Sequence, residues 1–241
     1  AKASCSENLK NLVLKLEPNS EIKIINPARD NETKSALEDI NNYHGIIFTG
    51  GAMRLNDMTD EIKKHIKFAS NCFKHNKKIL AICWGLQVCS TAAGGKVAPG
   101  KKGVHIGIAS DVEINEEGKK NPIYKDKKSK FTSPAFNFDE VYEMPNDATL
   151  LSSDKINNVM GLYFKSGNSE IWGLQYHPDY EYWQMINLSN VRKLRIIANK
   201  HFENENDFEK HIEYLKSEDK KLNFVNRTCE VRNWLDIIKN K

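Results

Sequence analysis

Two short apolar runs, each followed by a segment with helical periodicity, constrain the fold of this chain more than any other feature. They are GIIFT at residues 45–49 and KILAI at residues 78–82. Unbroken runs of this kind are typical of strands buried on both faces of a parallel sheet. Residues 60–75 and 84–93 space their apolar side chains as amphipathic helices do. Strands alternating with helices predict a three-layer α/β fold, with helices on both faces of a mostly parallel central sheet.

The segment before the first of these runs has a pattern of its own. We predict a helix at residues 6–16, a strand at 21–26 (EIKIIN) and a second helix at 33–41. Pro27 ends the strand, because proline cannot donate a ladder hydrogen bond. The chain therefore opens on a helix, whereas a sheet of this kind usually opens on a strand.

Alternating sequence after residue 100 predicts antiparallel strands. VHIGIASDVEI at 104–114 alternates apolar and polar side chains, and the runs at 148–154, 159–166 and 170–178 are short and separated by Asn, Gly and Ser. We expect these strands to include a small antiparallel sheet beside the central one. The lysine-rich residues 121–130 predict an exposed loop.

Helical periodicity begins near residue 181 and continues to the end of the chain, with one predicted break near Lys220. We predict one α/β domain at residues 1–203 and a helical extension at 204–241. The apolar side chains of the extension pack either on the same domain or at a dimer contact. They are Phe208, Ile212, Leu215, Trp234, Leu235 and Ile238.

Composition argues against several classes of function. The 241 residues are 39% hydrophobic and 28% charged, and the net charge of +4 is spread along the chain, so we expect no nucleic-acid partner. The mean hydropathy of −0.61 and the lack of a long apolar run predict no membrane span. The N-terminus has no apolar signal-peptide core, and the five cysteines form no C-x-x-C pair. We therefore predict a cytoplasmic protein without disulfides, a metal site or another cofactor.

One cysteine follows a predicted strand directly. Cys83 lies between KILAI and a predicted helix, the strand-to-helix position at which serine hydrolases present their nucleophile. The alternative is core packing, because a free cysteine is often a small buried side chain. Nothing in the sequence supports more than packing for Cys5, Cys72, Cys89 and Cys229.

His177 can supply the base that a nucleophilic thiol needs. It ends the last predicted strand, and Asp179 follows two residues later. A histidine can take the proton of the thiol, and a carboxylate on the far ring nitrogen fixes its tautomer. Pro178 stiffens the turn that directs both side chains to one side. Tyr180 or Tyr182 is a candidate for the wall of the pocket.

An acyl-transfer site also needs hydrogen-bond donors for the oxyanion that develops during the reaction. The backbone N–H of Trp84, directly after Cys83, is one predicted donor. Gly50 and Gly51 end the other apolar run. They can supply a second donor, because glycine allows a close approach of the backbone.

Four blocks, TGGAMR, AICWGLQ, GGKVAPGKKGVHIG and GLQYHPD, resemble in order and spacing the pattern of class I glutamine amidotransferases. The resemblance covers residues 46–179 and implies a flavodoxin-like α/β domain. It implies that Cys83 is the nucleophile, His177 the base and Asp179 the orienting acid. It also implies roles for residues around them: Gly51 and Trp84 at the oxyanion hole, and Gly50, Gln87, Ser133 and Phe136 at the substrate.

The sequence departs from the family pattern at four places. Ala81 replaces a glycine before the nucleophile, Asp179 replaces glutamate, and His105 stands where the family often has glutamate. The family commonly carries S-H-x-D or W-H-x-D in the stretch that corresponds to residues 131–145, and its backbone there touches the substrate. This chain has FTSPAFNFDEVYEMP instead, which predicts a substrate pocket unlike that of an ordinary glutaminase.

The resemblance implies hydrolysis of a γ-glutamyl amide through a thioester, with release of glutamate and of ammonia or an amine. Ammonia would pass to a separate synthetase subunit, or the enzyme would simply hydrolyse glutamine or another γ-glutamyl compound. Two alternatives stay open. One is γ-glutamyl transfer to an amine acceptor, and the other is a non-catalytic relative that binds a metabolite or a partner enzyme. A homodimer is also compatible with the sequence.

Overall fold

The computed structural model describes residues 4–239 of the chain. Its strands are β1 (Gly45–Phe48), β2 (Lys78–Ile82), β3 (Lys96–Pro99), β4 (His105–Ile114), β5 (Lys130–Asn137), β6 (Asp139–Glu143), β7 (Thr149–Ser153), β8 (Gly161–Ser166) and β9 (Ser169–Leu174). Its α-helices are α1 (Cys5–Leu16), α2 (Asp30–Glu38), α3 (Asp60–Cys72), α4 (Trp84–Ala92), α5 (Glu116–Lys120), α6 (Tyr182–Val191), α7 (Lys193–Ala198), α8 (Glu205–Asp219), α9 (Phe224–Arg227) and α10 (Cys229–Lys239). Short 3-10 turns lie at Ile40–Asn42, Leu55–Asp57 and Pro122–Tyr124.

Seven strands form one sheet in the order β1-β2-β9-β8-β7-β4-β5, and β3 and β6 form a small antiparallel sheet. The pairs β1–β2 and β2–β9 are parallel, whereas the other pairs of the large sheet are antiparallel. The predicted fold class is confirmed with one correction, since the sheet is mixed rather than mostly parallel. The connections explain this, because only Gly167 and Asn168 separate β8 from β9, and a parallel pair needs a much longer crossover.

Helices cover both faces of the parallel part of the sheet. Leu80 and Ile82 of β2 pack against α1 and α10 on one face, and Ile79 and Ala81 pack against α3 and α4 on the other. All four side chains are completely buried, because successive strand residues point to opposite faces. A further cluster joins β4 and β5 to α6, α7 and α8.

The C-terminal helices contribute to two of these clusters. Phe208, Ile212 and Leu215 of α8 are buried in the cluster that contains β4 and α6. Trp234 and Leu235 of α10 are buried in the cluster that contains α1 and β2. On these contacts we propose that residues 204–239 fold as part of the same unit as the rest of the chain.

The prediction of a strand at residues 21–26 is wrong. Among the described residues this segment pairs with no strand. Ile22 packs with the cluster of α1 and α10, and Ile25 packs with the cluster of α3 and α4. The N–H of Asn26 donates to Oε2 of Glu32 (2.7 Å) rather than to a backbone carbonyl. The segment connects two groups of helices and does not extend the sheet.

The lysine-rich residues 121–130 are largely exposed, as their composition predicts, but part of the segment is buried. Ile123 is completely buried. The Lys127 side chain is only 2% exposed and pairs with Glu230 of α10 at 3.0 Å. Burial of an ammonium group becomes tolerable when a carboxylate pairs with it, and here that carboxylate comes from a helix far along the sequence.

The region after residue 181 contains α6 to α10 rather than helices with a single break near Lys220. Its interruptions divide the segment into short helices that pack on different parts of the core. Within residues 4–239, no helix combines the length and the apolar character needed to cross a membrane.

We expect Phe208→Ala to lower the free energy of unfolding by about 3–5 kcal/mol, because it empties a fully buried aromatic site in α8. Tyr214→Ala on the same helix removes a side chain that is 42% exposed and should cost far less. Denaturant unfolding measures both. Equal losses in the two variants, or a midpoint that rises with protein concentration, would mean that α8 packs on a second copy instead.

Candidate active site

Cys83 lies on a sharp turn between β2 and α4. Its backbone has φ 52° and ψ −109°, a region that a residue with a side chain seldom adopts. Its N–H donates to the carbonyl of Leu174 at the end of β9 (2.6 Å), and its carbonyl accepts from the N–H of Gln87 in α4 (3.2 Å). Strained backbone concentrates at functional sites, where the surrounding structure holds it in place. The thiol is thus presented at the carboxyl end of the parallel strands, where sites in α/β sheets lie.

Gly85 allows α4 to start so close to the sheet. A Cβ at this position would lie 2.3 Å from the carbonyl oxygen of Phe48 in β1. Any side chain would push the first turn of the helix away from the strand and would displace Cys83 with it. Packing of the turn against β1 therefore requires the glycine that follows Cys83-Trp84.

His177 lies on a turn beyond the end of β9. Its N–H donates to the carbonyl of Pro134 in β5 (2.7 Å). Its Nδ1 lies 3.1 Å from Oδ1 of Asp179, and both side chains are buried. The other carboxylate oxygen of Asp179, Oδ2, has no hydrogen-bond partner among the described residues. Among the described residues, the carboxylate of Asp179 therefore hydrogen-bonds only to the imidazole. This bond fixes the orientation of the ring.

The imidazole of His177 lies between two acidic groups. It interacts electrostatically with the thiol of Cys83 as well as with Asp179. Burial by itself lowers the pKa of His177. The negative charges of Cys83 and Asp179 outweigh burial and raise this pKa well above its ordinary value. A histidine that keeps its proton beside a thiol stabilises the thiolate, which is the reactive form.

The other buried cysteines lack such a partner. Burial raises the pKa of Cys72 to about 12, and it also raises the pKa of Cys89 and of Cys229. These thiols stay protonated at neutral pH, which agrees with the packing role predicted for them. All the cysteines are free. Within residues 4–239, no group of three or more His, Cys, Asp or Glu side chains is arranged to hold a metal ion.

Gly50 and Gly51 line the approach to the thiol and the imidazole. A Cβ on Gly50 would lie 2.8 Å from Cε1 of His177, so only glycine leaves room for the ring. A Cβ on Gly51 would lie 3.0 Å from the indole of Trp84. The two residues predicted for the oxyanion hole are therefore neighbours beside Cys83. Their role as donors stays a prediction.

The residues predicted to contact substrate lie at different distances from the thiol. The carbonyl oxygen of Phe136 is 3.8 Å from Sγ of Cys83. Ser133 is buried within β5, and no hydrogen bond in the described part of the chain joins it to the thiol or the imidazole. Gln87 donates from Nε2 to the carbonyl of Asp139 (2.9 Å). This bond ties α4 to the segment that follows β5.

His105, which stands where the family often has glutamate, is buried between two polar side chains. Its Nδ1 lies 2.9 Å from Oδ1 of Asn137, and its Nε2 lies 2.7 Å from Oδ2 of Asp154. Asn137 directly follows Phe136, whose carbonyl faces Cys83. The network therefore fixes the end of β5 that borders the site.

Three side chains reach the triad from segments that the sequence motifs do not mark. Sγ of Cys5 lies 3.2 Å from the hydroxyl of Tyr180. The ring of Tyr180 packs edge-on against His177, with 4.9 Å between centroids. The guanidinium carbon of Arg192 lies 4.9 Å from the ring centroid of Phe136. Tyr180 follows the triad closely in sequence, but only the fold brings Cys5 and Arg192 to the site.

The turn that carries His177 is also held by α1 and α9, which lie far apart in the sequence. Asn8 of α1 donates from Nδ2 to the carbonyl of Asp179 (2.7 Å). Arg227 of α9 donates from Nη1 to the carbonyl of Pro178 (2.7 Å) and from Nη2 to Oε1 of Glu181 (3.2 Å). The Arg227 side chain is 5% exposed. These two donors fix the backbone on which the imidazole and its carboxylate are carried.

A buried polar network fixes the residue just before the histidine. The hydroxyl of Tyr176 donates to Oε1 of Glu230 in α10 (2.6 Å). Lys127 pairs with the same carboxylate, and both charged side chains are at most 2% exposed. Burial, together with the Glu230 charge, raises the pKa of Tyr176 well above its ordinary value, so the hydroxyl stays a donor. No local pattern marks these residues, because their partners are distant in sequence.

A thiol on a strained strand-to-helix turn, paired with a buried histidine from the neighbouring strand, is the arrangement that cysteine-dependent acyl-transfer enzymes use. Comparison with known proteins identifies a particular family within this class. Residues 1–184 match the model of the family "Glutamine amidotransferase class-I". The chain belongs to this family.

Among characterised proteins, the chain is similar to a γ-glutamyl-L-1-hydroxyisopropylamide hydrolase of Pseudomonas. The two are 26% identical over 80% of this chain and 72% of the hydrolase. It is also 34% identical to γ-glutamyl peptidase 5 of Arabidopsis thaliana over 59% of its length, but it spans only 56% of that peptidase. A glutamine-hydrolysing GMP synthase chain of Methanococcus vannielii is 29% identical over 64% of this chain and 75% of its own length.

Solved structures agree with the fold. A glutamine amidotransferase from Thermotoga maritima superposes over 100% of this chain and 96% of its own, with a TM-score of 0.68 at 16% identity. A glutamine amidotransferase from Methylobacillus flagellatus superposes over 82% of this chain and 78% of its own, with a TM-score of 0.61 at 14% identity. At these identities the likeness concerns the fold alone.

We expect Asp179→Asn to move the titration midpoint of His177 to lower pH, because one of the two negative charges that raise its pKa is lost. Imidazole NMR signals followed against pH measure the midpoint. Cys83→Ala should act in the same direction. His201, whose pKa is lowered by burial, serves as an internal control. Unchanged midpoints for His177 in both variants would contradict the paired arrangement.

We expect Arg227→Met to slow alkylation of Cys83 by iodoacetamide at pH ~6 by about tenfold, because small displacements of paired groups have large effects. At that pH an unpaired thiol is almost entirely protonated, so the rate reports the contact with His177. Arg227→Lys should recover part of the rate. Arg232→Met, on α10, is the matched control, and equal slowing in it would show that the effect is not specific to the turn.

Proposed function

We propose that this chain hydrolyses a γ-glutamyl amide through a thioester on Cys83. The observation that carries the proposal is the buried His177, whose imidazole interacts electrostatically with Cys83 and lies 3.1 Å from Asp179. The arrangement supplies a thiolate, a proton and a fixed ring orientation, and these are what acyl transfer from an amide requires.

In the proposed reaction the Cys83 thiolate attacks the γ-carbonyl carbon, and a carbon–sulfur bond forms as the carbonyl oxygen becomes an oxyanion. The carbon–nitrogen bond then breaks, and the imidazolium of His177 gives its proton to the departing ammonia or amine. A water molecule attacks the thioester while His177 takes its proton. The carbon–sulfur bond breaks, and glutamate leaves with the regenerated thiolate in place.

The backbone N–H groups of Gly51 and Trp84 are the proposed donors to the oxyanion. Both residues lie beside Cys83, and the N–H of Trp84 belongs to the start of α4, where helix N–H groups have no intrahelical partner. Donors built from backbone need no reorganisation during the reaction, which is why they stabilise the charged intermediate effectively. Asp179 takes the orienting role, and its shorter side chain still reaches Nδ1 of His177.

We propose a γ-glutamyl compound other than free glutamine as the substrate. The characterised relatives support this choice, since they include a hydrolase and peptidases whose names specify γ-glutamyl compounds. The stretch after residue 130 supports it as well, because it enters the site as β5 with Phe136 against the thiol and lacks the family's usual motif. Gln87, Gly50, Ser133 and Phe136 remain the proposed substrate-side residues.

A second candidate is a glutaminase that supplies ammonia to a separate synthetase subunit. The similarity to glutamine-hydrolysing GMP synthase chains from three organisms favours it. Glutamine hydrolysis that rises in the presence of a synthetase partner would support this function. Hydrolysis of γ-glutamyl amides in preference to glutamine would favour the first candidate.

γ-Glutamyl transfer to an amine is distinguished from hydrolysis by adding hydroxylamine, which would trap the thioester as a γ-glutamyl hydroxamate. Cytoplasmic residence stays a prediction.

We expect Cys83→Ser to lower kcat/KM for γ-glutamyl amides at least about a thousandfold, because the nucleophile and its base act as a unit. The assay measures amine or ammonia release from glutamine, γ-glutamyl amides and γ-glutamyl dipeptides. Cys72→Ala removes a buried thiol of α3 and is the control that should keep its activity. Hydrolysis that survives in Cys83→Ser would overturn the mechanism. Absence of hydrolysis with every substrate would favour a non-catalytic binding protein.

A further inference from the structure

Arg192 brings a positive charge close to the catalytic thiol. It lies at the junction of α6 and α7, and its guanidinium carbon is 4.9 Å from the ring centroid of Phe136. The carbonyl oxygen of the same Phe136 is 3.8 Å from Sγ of Cys83. One residue of β5 therefore contacts the thiol through its backbone and the cation through its ring.

The guanidinium of Arg192 has no acidic side chain to pair with among the described residues. The side chain is partly buried, and burial and the nearby Arg195 lower its pKa. The groups that act in the opposite direction are Cys83, Cys5 and Tyr180, and no aspartate or glutamate of residues 4–239 is among them. Removing a cation from water without a carboxylate partner is costly. The position is therefore suited to a negative group that arrives with the ligand.

The side chains around this cation form one wall of the site. Tyr180 packs on His177 and shares a hydrogen bond with Cys5, and both lie within the electrostatic reach of Arg192. The thiol, the imidazole and the guanidinium thus belong to one cluster of neighbouring side chains. A substrate whose carbonyl sits at the thiol can place a second polar group at the guanidinium only if a short spacer joins the two.

We propose that Arg192 binds the α-carboxylate of the γ-glutamyl substrate. A γ-glutamyl group has the required form, because a short aliphatic spacer separates its reacting carbonyl from a carboxylate. Guanidinium and carboxylate match in a bidentate, charge-assisted geometry. The ring of Phe136 holds the guanidinium in place before the substrate binds. This inference rests on the proposed function, and it adds that a free α-carboxylate is a condition for efficient hydrolysis.

Arg195 provides a comparison within the same structure. It lies on α7, its guanidinium carbon is 5.9 Å from the ring centroid of Phe138, and it is exposed. Its aromatic partner is therefore Phe138 rather than Phe136, whose carbonyl oxygen faces the thiol. A direct contact with the substrate requires Arg192 specifically, whereas a general attraction of anions to this face would involve both arginines.

The test uses two γ-glutamyl p-nitroanilides that differ only in their α-group, one with a free carboxylate and one with a carboxamide. In the wild-type protein the carboxylate substrate should have a kcat/KM about 10- to 100-fold higher. Arg192→Met should lose this preference. Arg192→Lys should keep part of it, and Arg195→Met should keep nearly all of it.

The outcomes separate this inference from the proposed function. Hydrolysis that depends on Cys83 but shows the same carboxylate preference in Arg192→Met would overturn the inference and leave the function standing. Equal losses in Arg192→Met and Arg195→Met would overturn it too, in favour of general attraction.

A second readout needs no turnover, namely the ratio of Cys83 alkylation rates with anionic iodoacetate and neutral iodoacetamide. We expect this ratio to fall several-fold in Arg192→Met and to change little in Arg195→Met. If the ratio is the same in wild type and Arg192→Met, the guanidinium does not serve an anion at the thiol. That result would overturn the inference even if no γ-glutamyl compound proved to be a substrate.

Discussion

The contact between the Cys83 thiol and the His177 imidazole is the interaction on which the rest of the site depends. It exists because β2 and β9 are adjacent parallel strands in which Ile82 is level with Leu174. The N–H of Cys83 donates to the carbonyl of Leu174, so the cysteine turn is fastened to the strand that leads to the histidine. A shift of the register would separate the two side chains.

Much of the surrounding structure serves to hold that contact in position. The turn that carries His177 is held by β5, by α1 and by α9, and the preceding Tyr176 is held by α10. These elements come from both ends of the chain. Buried groups with fixed hydrogen bonds lose little freedom during a reaction, and such preorganisation is the main source of catalysis by charged groups. The C-terminal helices are thus connected to the chemistry as well as to the core.

The errors of prediction share a physical cause. Residues 21–26 have the composition of a strand, but a strand also needs a partner, and the fold offers none within the described residues. Residues 121–130 have the composition of a solvated loop, but the Lys127 side chain is buried in an ion pair with Glu230. Propensity and composition describe a segment in isolation, whereas ladder pairing and burial depend on what the rest of the chain places beside it.

The sequence by itself determined the local features, namely the apolar strands, the Cys-Trp-Gly turn and the His-Pro-Asp turn, because each depends on neighbours within a few residues. The four ordered motifs were enough to indicate the family and the triad. Only the tertiary structure decided that the sheet is mixed and that Arg192 lies near the thiol. It alone decided that Arg227 holds the turn that carries His177. Such contacts join residues far apart in the chain, and no local periodicity encodes the distance between them.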